Sequence, residues 1–266
     1  MKIGFIGCGN MGGALATAVN NANIQKTLYL LDKNEELQNG LATKLNANTA
    51  ALKEIIDSAN YVFIGVKPQV ASIVASEINE CLSSSNNNPV FISMMAGINT
   101  TKLENLLSNS AKIIRIMPNT PVSVNKGMIL YCTNRNVTQA EEDNFVKMLE
   151  ESSVLSKLDE SLIDAGCAVS GCGPAFVYMF IDALAKGGEK SGLTYDEALV
   201  YATQTVIGAS TLLQTSNKTP EELKNAVCSP NGSTIEGVKS LEENSFYNVV
   251  INAVEKSFIR TKELGK

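Results

Sequence analysis

The chain has 266 residues, 44% hydrophobic and 18% charged, with a mean hydropathy of +0.03. That is the balance of a globular protein with room for one large or two modest domains. A formal net charge of −5 gives no overall basic field, so neither nucleic acid nor a membrane surface is expected as a partner. Histidine is absent, which excludes Ser-His-Asp and Cys-His nucleophile systems and the usual His-bearing zinc sites. The cysteines, at positions 8, 81, 132, 167, 172 and 228, form no C-x-x-C pair. No metal site is therefore expected, and the thiols read as buried groups of a reducing compartment.

The N-terminal apolar stretch to Ala22 is interrupted by Gly4, Gly7, Gly9, Gly12 and Gly13, so it reads as strand, tight turn and helix rather than a signal peptide. Ile3–Ile6 is the first expected strand. Gly7-Cys-Gly9-Asn10-Met11-Gly12 follows it directly and opens a helix, the setting in which G-x-G-x-x-G holds a dinucleotide. Gly7 permits the turn, Gly9 lets backbone approach a pyrophosphate, and Gly12 allows close packing. The expected second strand, Leu28–Leu31, ends at Asp32, twenty residues after Gly12. A carboxylate there suits the adenosine ribose hydroxyls and repels a 2′-phosphate, while Lys33 and Asn34 beside it offer a phosphate some compensation. NADPH and NADH both stay open on this ground.

Leu37, Leu41 and Leu45 repeat every four residues and predict a helix. Tyr61–Val66 is a third strand, and Val66-Lys67-Pro68 at its end points toward the dinucleotide crevice. Val70, Ile73, Val74, Cys81 and Leu82 mark another helix face. Val90–Met94, Ile113–Met117 and Met128–Cys132 continue the strands, with Val154–Leu158 expected at an edge. Thr101 with Glu104 and Thr138 with Glu141 match the S/T-x-x-E capping box and predict two helix starts. The alternation is that of βαβ units and a mainly parallel sheet.

After about residue 160 the strand signal ends. Ala175–Ala185 is apolar around almost its whole circumference, so it asks for cover on every side, most economically from a second subunit. The run is too short to span a bilayer, and a cytoplasmic location is expected. Ser229-Pro-Asn-Gly232-Ser233-Thr234 is a turn that delivers hydroxyls to a helix start, where free N–H groups and the helix dipole can hold a small carboxylate. Val249, Val250, Ala253, Val254, Ser257 and Phe258 predict a final helix with one buried face.

Four segments together resemble the pyrroline-5-carboxylate reductase family: Lys2–Gly12, Arg115-Ile-Met-Pro-Asn-Thr-Pro121, Ser170-Gly-Cys-Gly-Pro-Ala-Phe176 and Val227–Glu242. The resemblance runs from residue 1 to about 264. It implies an α/β fold with an N-terminal Rossmann dinucleotide-binding domain, 1–160, followed by an all-helical substrate and dimerisation domain, 161–266. The implied activity is hydride transfer from NADPH or NADH to a cyclic imine, giving proline, in a homodimer or larger homo-oligomer. Ser229, Gly232, Ser233 and Thr234 would bind the substrate carboxylate, with Thr234 also near the imine nitrogen as the catalytic hydrogen-bond partner. Ala96, Gly97, Met117, Pro118 and Asn119 would frame the nicotinamide.

Departures from the family pattern are small. Asn231 stands where a second glycine is common, Ser233 where threonine or alanine is, and Cys172 where serine is usual. Met95, beside the expected nicotinamide position, is bulkier than the usual alanine. Two rivals are weighed. A β-hydroxyacid or other imine reductase would carry a lysine on the interdomain helix, but Lys186, at its far end, is the only lysine within Gly171–Gly187. A nucleotide-sensing module without turnover would show a degraded Ser229–Thr234 loop.

Overall fold

In the computed structural model, which describes residues 1–264, the first part of the chain alternates strand and helix. The elements are β1 (Lys2–Ile6), α1 (Asn10–Asn21), β2 (Thr27–Leu31), α2 (Glu35–Leu45), β3 (Asn48–Thr49), α3 (Leu52–Ser58), β4 (Tyr61–Ile64) and α4 (Ala71–Ser83). They continue with β5 (Val90–Ser93), α5 (Thr100–Leu106), β6 (Lys112–Pro118), β7 (Gly127–Thr133), α6 (Gln139–Leu149), β8 (Ser153–Lys157) and α7 (Glu160–Ser170). All strands join one sheet in the order β3-β2-β1-β4-β5-β6-β7-β8. Neighbours are parallel except β6 with β7. From β3 to β6 this is the doubly wound Rossmann order. It reverses between β1 and β4, leaving a crevice beyond the carboxyl ends of those strands.

The central strands are apolar without alternation because both sheet faces are covered. Along β4, Tyr61 and Phe63 enter one core with Phe5, Leu15, Leu30 and Phe145, and Phe5 stacks on Phe63 with centroids 4.5 Å apart. Val62 and Ile64 enter the opposite core with Ile55, Ile78, Phe91 and Leu103. β8 is the edge strand that was expected, whereas β3, two residues long, is too short for any periodicity to reveal.

Several local expectations need correction. The Thr138–Glu141 capping box forms, but Thr101–Glu104 does not. Asn99 caps α5 by accepting from the Lys102 N–H at 2.8 Å, which puts Thr101 inside the helix and frees the Glu104 carboxylate to accept from Asn134 Nδ2 at 2.7 Å. On α4 the buried face is Ala71, Val74, Ala75 and Ile78, with Ile73 exposed. The small alanines, not the larger Ile73, set that face. Of the cysteines, Cys8, Cys132 and Cys167 are buried, and the other three are half-buried.

The chain divides into two compact units, Met1–Cys172 with the chain from Ser257 onward, and Gly173–Lys256. α7 belongs to the first of these units because it packs on the sheet, with Ile163 and Cys167 against Met117, Leu130 and Cys132. The second unit holds α8 (Gly173–Lys190), α9 (Tyr195–Thr215), α10 (Pro220–Ala226), α11 (Ser233–Glu243) and the start of α12 (Phe246–Leu264). Its own buried residues are the alanines 185, 198 and 202, at the α8–α9 crossing.

The apolar circumference of α8 is left largely uncovered within one chain: Tyr178 is 62% and Met179 72% exposed. The predicted stripe of α12 is likewise not buried; Val249 and Val250 are exposed, and Ala253, Val254, Ser257 and Phe258 are only half-buried. A periodic face tells that cover is needed, not where it comes from. The helical stretch Glu160–Lys190 contains an 18-residue window of mean hydropathy 1.5, long and apolar enough to cross a membrane by length and composition alone. This departs from the reading of Ala175–Ala185 as too short, because α7 and α8 follow each other across a two-residue turn.

Candidate active site

The crevice at the strand reversal is built around the glycine turn. Gly7 has φ +98, a left-handed conformation that a side chain resists, and its N–H donates to the Leu31 carbonyl at 2.8 Å. A Cβ on Gly12 would lie 2.0 Å from the Gly7 oxygen; α1 can start this close to β1 only with glycine there. Gly9 is different. It is the N-cap of α1, makes no side-chain cap, and a Cβ on it would find nothing within 4 Å. The first N–H groups of α1 are thus bare of side-chain acceptors, with open space before them. Asn10 is exposed and Met11 half-buried at the same helix start. These features fit a bound diphosphate.

The crevice, about 730 Å³, is lined by Gly7, Gly9, Asp32, Lys33, Gly65, Val66 and Lys67, together with Val70, Val74 and Glu77. Pro68 begins a short 3₁₀ turn next to it. Gly65 escaped the sequence reading. A Cβ there would meet the Gly7 oxygen at 3.0 Å, so the end of β4 forms the second wall of the glycine turn. Its only sequence signal is a glycine closing a strand.

Asp32 is tied down on both oxygens. Oδ2 accepts from the Cys8 N–H at 2.6 Å and Oδ1 from the Asn34 N–H at 2.9 Å. Burial raises the Cys8 thiol to about 11, and the Asp32 carboxylate pushes it the same way; the turn therefore carries a neutral thiol.

The residues expected around the nicotinamide are less uniform. Ala96 and Gly97 are half-buried after β5, with Gly97 at φ +74. Met95 is buried in the core with Ile64, Val74 and Leu103, which makes it a packing residue. Met117 and Pro118 are buried at the end of β6. Asn119 is also buried, and its amide is committed: Oδ1 accepts from the Met128 N–H at 2.8 Å and Nδ2 donates to the Ser170 carbonyl at 3.0 Å. It braces the turn before β7 against the end of α7. Arg115, in the same segment, donates to Asp164 at 2.7 Å and to Glu160 at 3.4 Å. Its Nε has no hydrogen-bond partner among the described residues. Glu160 also accepts from Thr100 through both N–H and hydroxyl, so an ionic cluster around the buried Arg115 joins β6, α5 and α7.

In the helical unit, Pro230 and Asn231 form a turn closed by the Gly232 N–H donating to the Ser229 carbonyl at 3.0 Å. Asn231 takes φ +60, a conformation asparagine tolerates, which explains why it can replace a glycine here. Gly232 is the N-cap of α11 and offers no side-chain cap; a Cβ on it would run into Ser229 Oγ. Ser229, Ser233 and Thr234 are exposed. The loop therefore presents three hydroxyls and the bare start of a helix, an arrangement that can hold a carboxylate. Lys186, the mark sought for a rival reductase, is ion-paired with Asp182 on its own helix at 2.7 Å.

A Rossmann sheet with a bare glycine turn, an acidic residue closing β2 and an all-helical unit after it defines a two-domain, NAD(P)H-dependent oxidoreductase. A family profile described as NADP oxidoreductase, coenzyme F420-dependent, matches residues 2–97, and one described as pyrroline-5-carboxylate reductase dimerisation matches residues 160–264. The chain is 35% identical to the pyrroline-5-carboxylate reductase of Aquifex aeolicus, over 99% of this chain and 97% of that one. It is also 35% identical to that of Escherichia coli, over 100% and 98%. A pyrroline carboxylate reductase from Plasmodium falciparum, solved with NADP bound, superposes with a TM-score of 0.87 at 33% identity, covering 100% of this chain and 98% of that one. The chain belongs to the pyrroline-5-carboxylate reductase family, and its helical unit falls within the family's dimerisation domain.

Proposed function

We infer that this protein reduces the cyclic imine pyrroline-5-carboxylate to proline, the closing step of proline biosynthesis, using NADPH or NADH. The observation that carries this reading is the end-to-end likeness to enzymes of that name, with the Ser229–Thr234 loop intact. When bound, the nicotinamide supplies a hydride for the imine carbon. Gly7, Gly9, Asn10, Met11 and Gly12 would hold the diphosphate, Asp32 and Lys33 the adenosine ribose, and Val66, Lys67 and Pro68 the wall of the crevice. Ala96, Gly97, Met117 and Pro118 would border the nicotinamide, with Asn119 holding their turn in place.

Ser229, Gly232, Ser233 and Thr234 would bind the substrate carboxylate through hydroxyls and the N–H groups that open α11. Thr234 Oγ1 would also hydrogen-bond at the imine nitrogen. A threonine hydroxyl is a poor acid and the chain has no histidine. Substrate therefore enters as the iminium or takes its proton from water, and these residues act by orientation and by excluding solvent. We assign the Rossmann role to residues 1–160 and substrate binding and dimerisation to 161–266. The protein would work as a homodimer or larger homo-oligomer, with the α8 surface in the interface, and in the cytoplasm, where its free thiols stay reduced.

The test is oxidation of NADH and NADPH on adding pyrroline-5-carboxylate, with proline or thiaproline oxidation in reverse. No turnover with either cofactor in the folded, oligomeric protein would overturn the reading.

A further inference from the structure

We propose that Asp32 makes this protein select a nicotinamide dinucleotide with a free 2′-hydroxyl, NADH, over one carrying a 2′-phosphate; the proposal rests on the dinucleotide reading above. The two backbone tethers fix the carboxylate in place. The Cys8 N–H comes from inside the glycine turn and the Asn34 N–H from the N-cap of α2. Swinging the carboxylate aside would break both of these charge-assisted hydrogen bonds at once. Asp32 therefore stays on the crevice wall. Each of its oxygens retains a lone pair for a ribose hydroxyl, and a phosphate at that position meets a fixed negative charge.

The groups that could receive a phosphate there are already committed or outnumbered. The start of α2 would be one, yet Asn34 Oδ1 already accepts from the Leu37 N–H at 3.0 Å, and Glu35 and Glu36 fill the first turn. Both glutamates oppose an anion at that helix end. The groove next to Asp32 is lined by Lys33 but also by Glu35 and Glu54, which sets three carboxylates against one ammonium. Lys33 is a compact point charge without the planar fork of an arginine. Attraction by this one lysine does not cancel the surrounding acids.

Fluorescence titration of the full chain is expected to show NADH binding at least about tenfold more tightly than NADPH, about 1.4 kcal/mol. 5′-AMP should likewise compete better than adenosine 2′,5′-bisphosphate, which isolates the adenosine end. Asp32→Asn keeps an oxygen for the Cys8 N–H and removes the charge; it should shift the affinity ratio about tenfold toward NADPH, while Lys33→Ala shifts it the other way. Equal or tighter binding of NADPH by the unmodified protein overturns the proposal, whether or not the variants fold. So does an unchanged ratio in a folded Asp32→Asn protein. A protein that binds neither nucleotide overturns the dinucleotide reading along with it. Selective NADH binding without imine reduction supports the proposal and strikes the substrate assignment alone.

Discussion

Gly9 and Gly12 are both motif glycines, yet the structure predicts opposite consequences for replacing each with alanine. At Gly9 the backbone, φ −62 and ψ −174, suits an alanine, and the new methyl meets nothing within 4 Å. Two small effects oppose each other in the empty protein. Reduced freedom of the unfolded chain stabilises by about 0.4–1 kcal/mol, and alanine is a poorer N-cap by up to about 1 kcal/mol. The melting temperature should therefore stay within about 4 °C of wild type. The methyl does, however, fill the space through which a diphosphate reaches the first N–H groups of α1, so dinucleotide affinity should fall at least about tenfold.

Gly12→Ala places its methyl 2.0 Å from the Gly7 oxygen. Gly7 cannot retreat, since its own Cβ position lies 2.6 Å from the Gly65 oxygen and its N–H is bonded to Leu31. Overpacking of this kind costs about 1–3 kcal/mol, so this variant should lose stability and affinity together. Thermal melting by circular dichroism, paired with nucleotide titration, separates the two outcomes. A Gly9→Ala protein that binds dinucleotide like wild type would show that no diphosphate crosses this turn.

Thr234→Ala should lower kcat/KM for pyrroline-5-carboxylate by about 10²-fold while leaving cofactor affinity within a few-fold; steady-state kinetics with unchanged turnover would remove Thr234 from the mechanism. Sedimentation at micromolar concentration should find at least a dimer, because α8 leaves Tyr178 and Met179 more than half exposed and such patches mark interfaces; a monomer contradicts the assignment. Arg115→Met should cost about 3 kcal/mol by denaturant titration, the lower end for a broken buried pair, since the Glu160 and Asp164 side chains keep 27% and 23% of their surface. Burial raises the thiols of Cys8 and Cys167 to about 11 and that of Cys132 to about 12. Unfolded thiols ionise first, so the folded state loses stability as pH rises from about 8.5 toward those values. Flat stability from pH 8 to 11 would refute that sign.

What the sequence discloses is mostly what one segment decides by itself. The β1 run followed by Gly7–Gly12 names its own conformation, because the glycines relieve clashes within and immediately around the turn. Asp32 is legible from its spacing, and Thr138 from Glu141 three residues on. Contacts between distant segments are not written locally. Gly65 matters through the Gly7 oxygen, and Asn119 through Met128 and Ser170, so neither role has a nearby pattern. Thr101 misleads because Asn99, two residues earlier, is at least as good a cap and takes the helix start. The faces of α8 and α12 show their hydrophobicity in the sequence; which surface covers them depends on groups outside the helix.

The three arginines of this acidic chain are Arg115, Arg135 and Arg260, and the buried Arg115 is spent on an ion-pair cluster. Recognition of a diphosphate and a carboxylate must therefore come largely from backbone donors. The pattern of helix caps is consistent with this. Side chains cap α2, α5, α6, α7, α9 and α10 through Asn34, Asn99, Thr138, Asp159, Thr194 and Thr219, satisfying donors that would otherwise be free. α3 and α4 start without a side-chain cap at Ala51 and Val70, and so do α1 and α11, where the N-cap is glycine and no Cβ stands before the free N–H groups. The latter two are the helix starts that the sequence motifs mark for anions. A serine or aspartate in either place would improve the helix and compete with the ligand for the same N–H groups. Foregoing the cap costs each helix about 1 kcal/mol or less, and it leaves a positive pole of fixed geometry that needs no arginine.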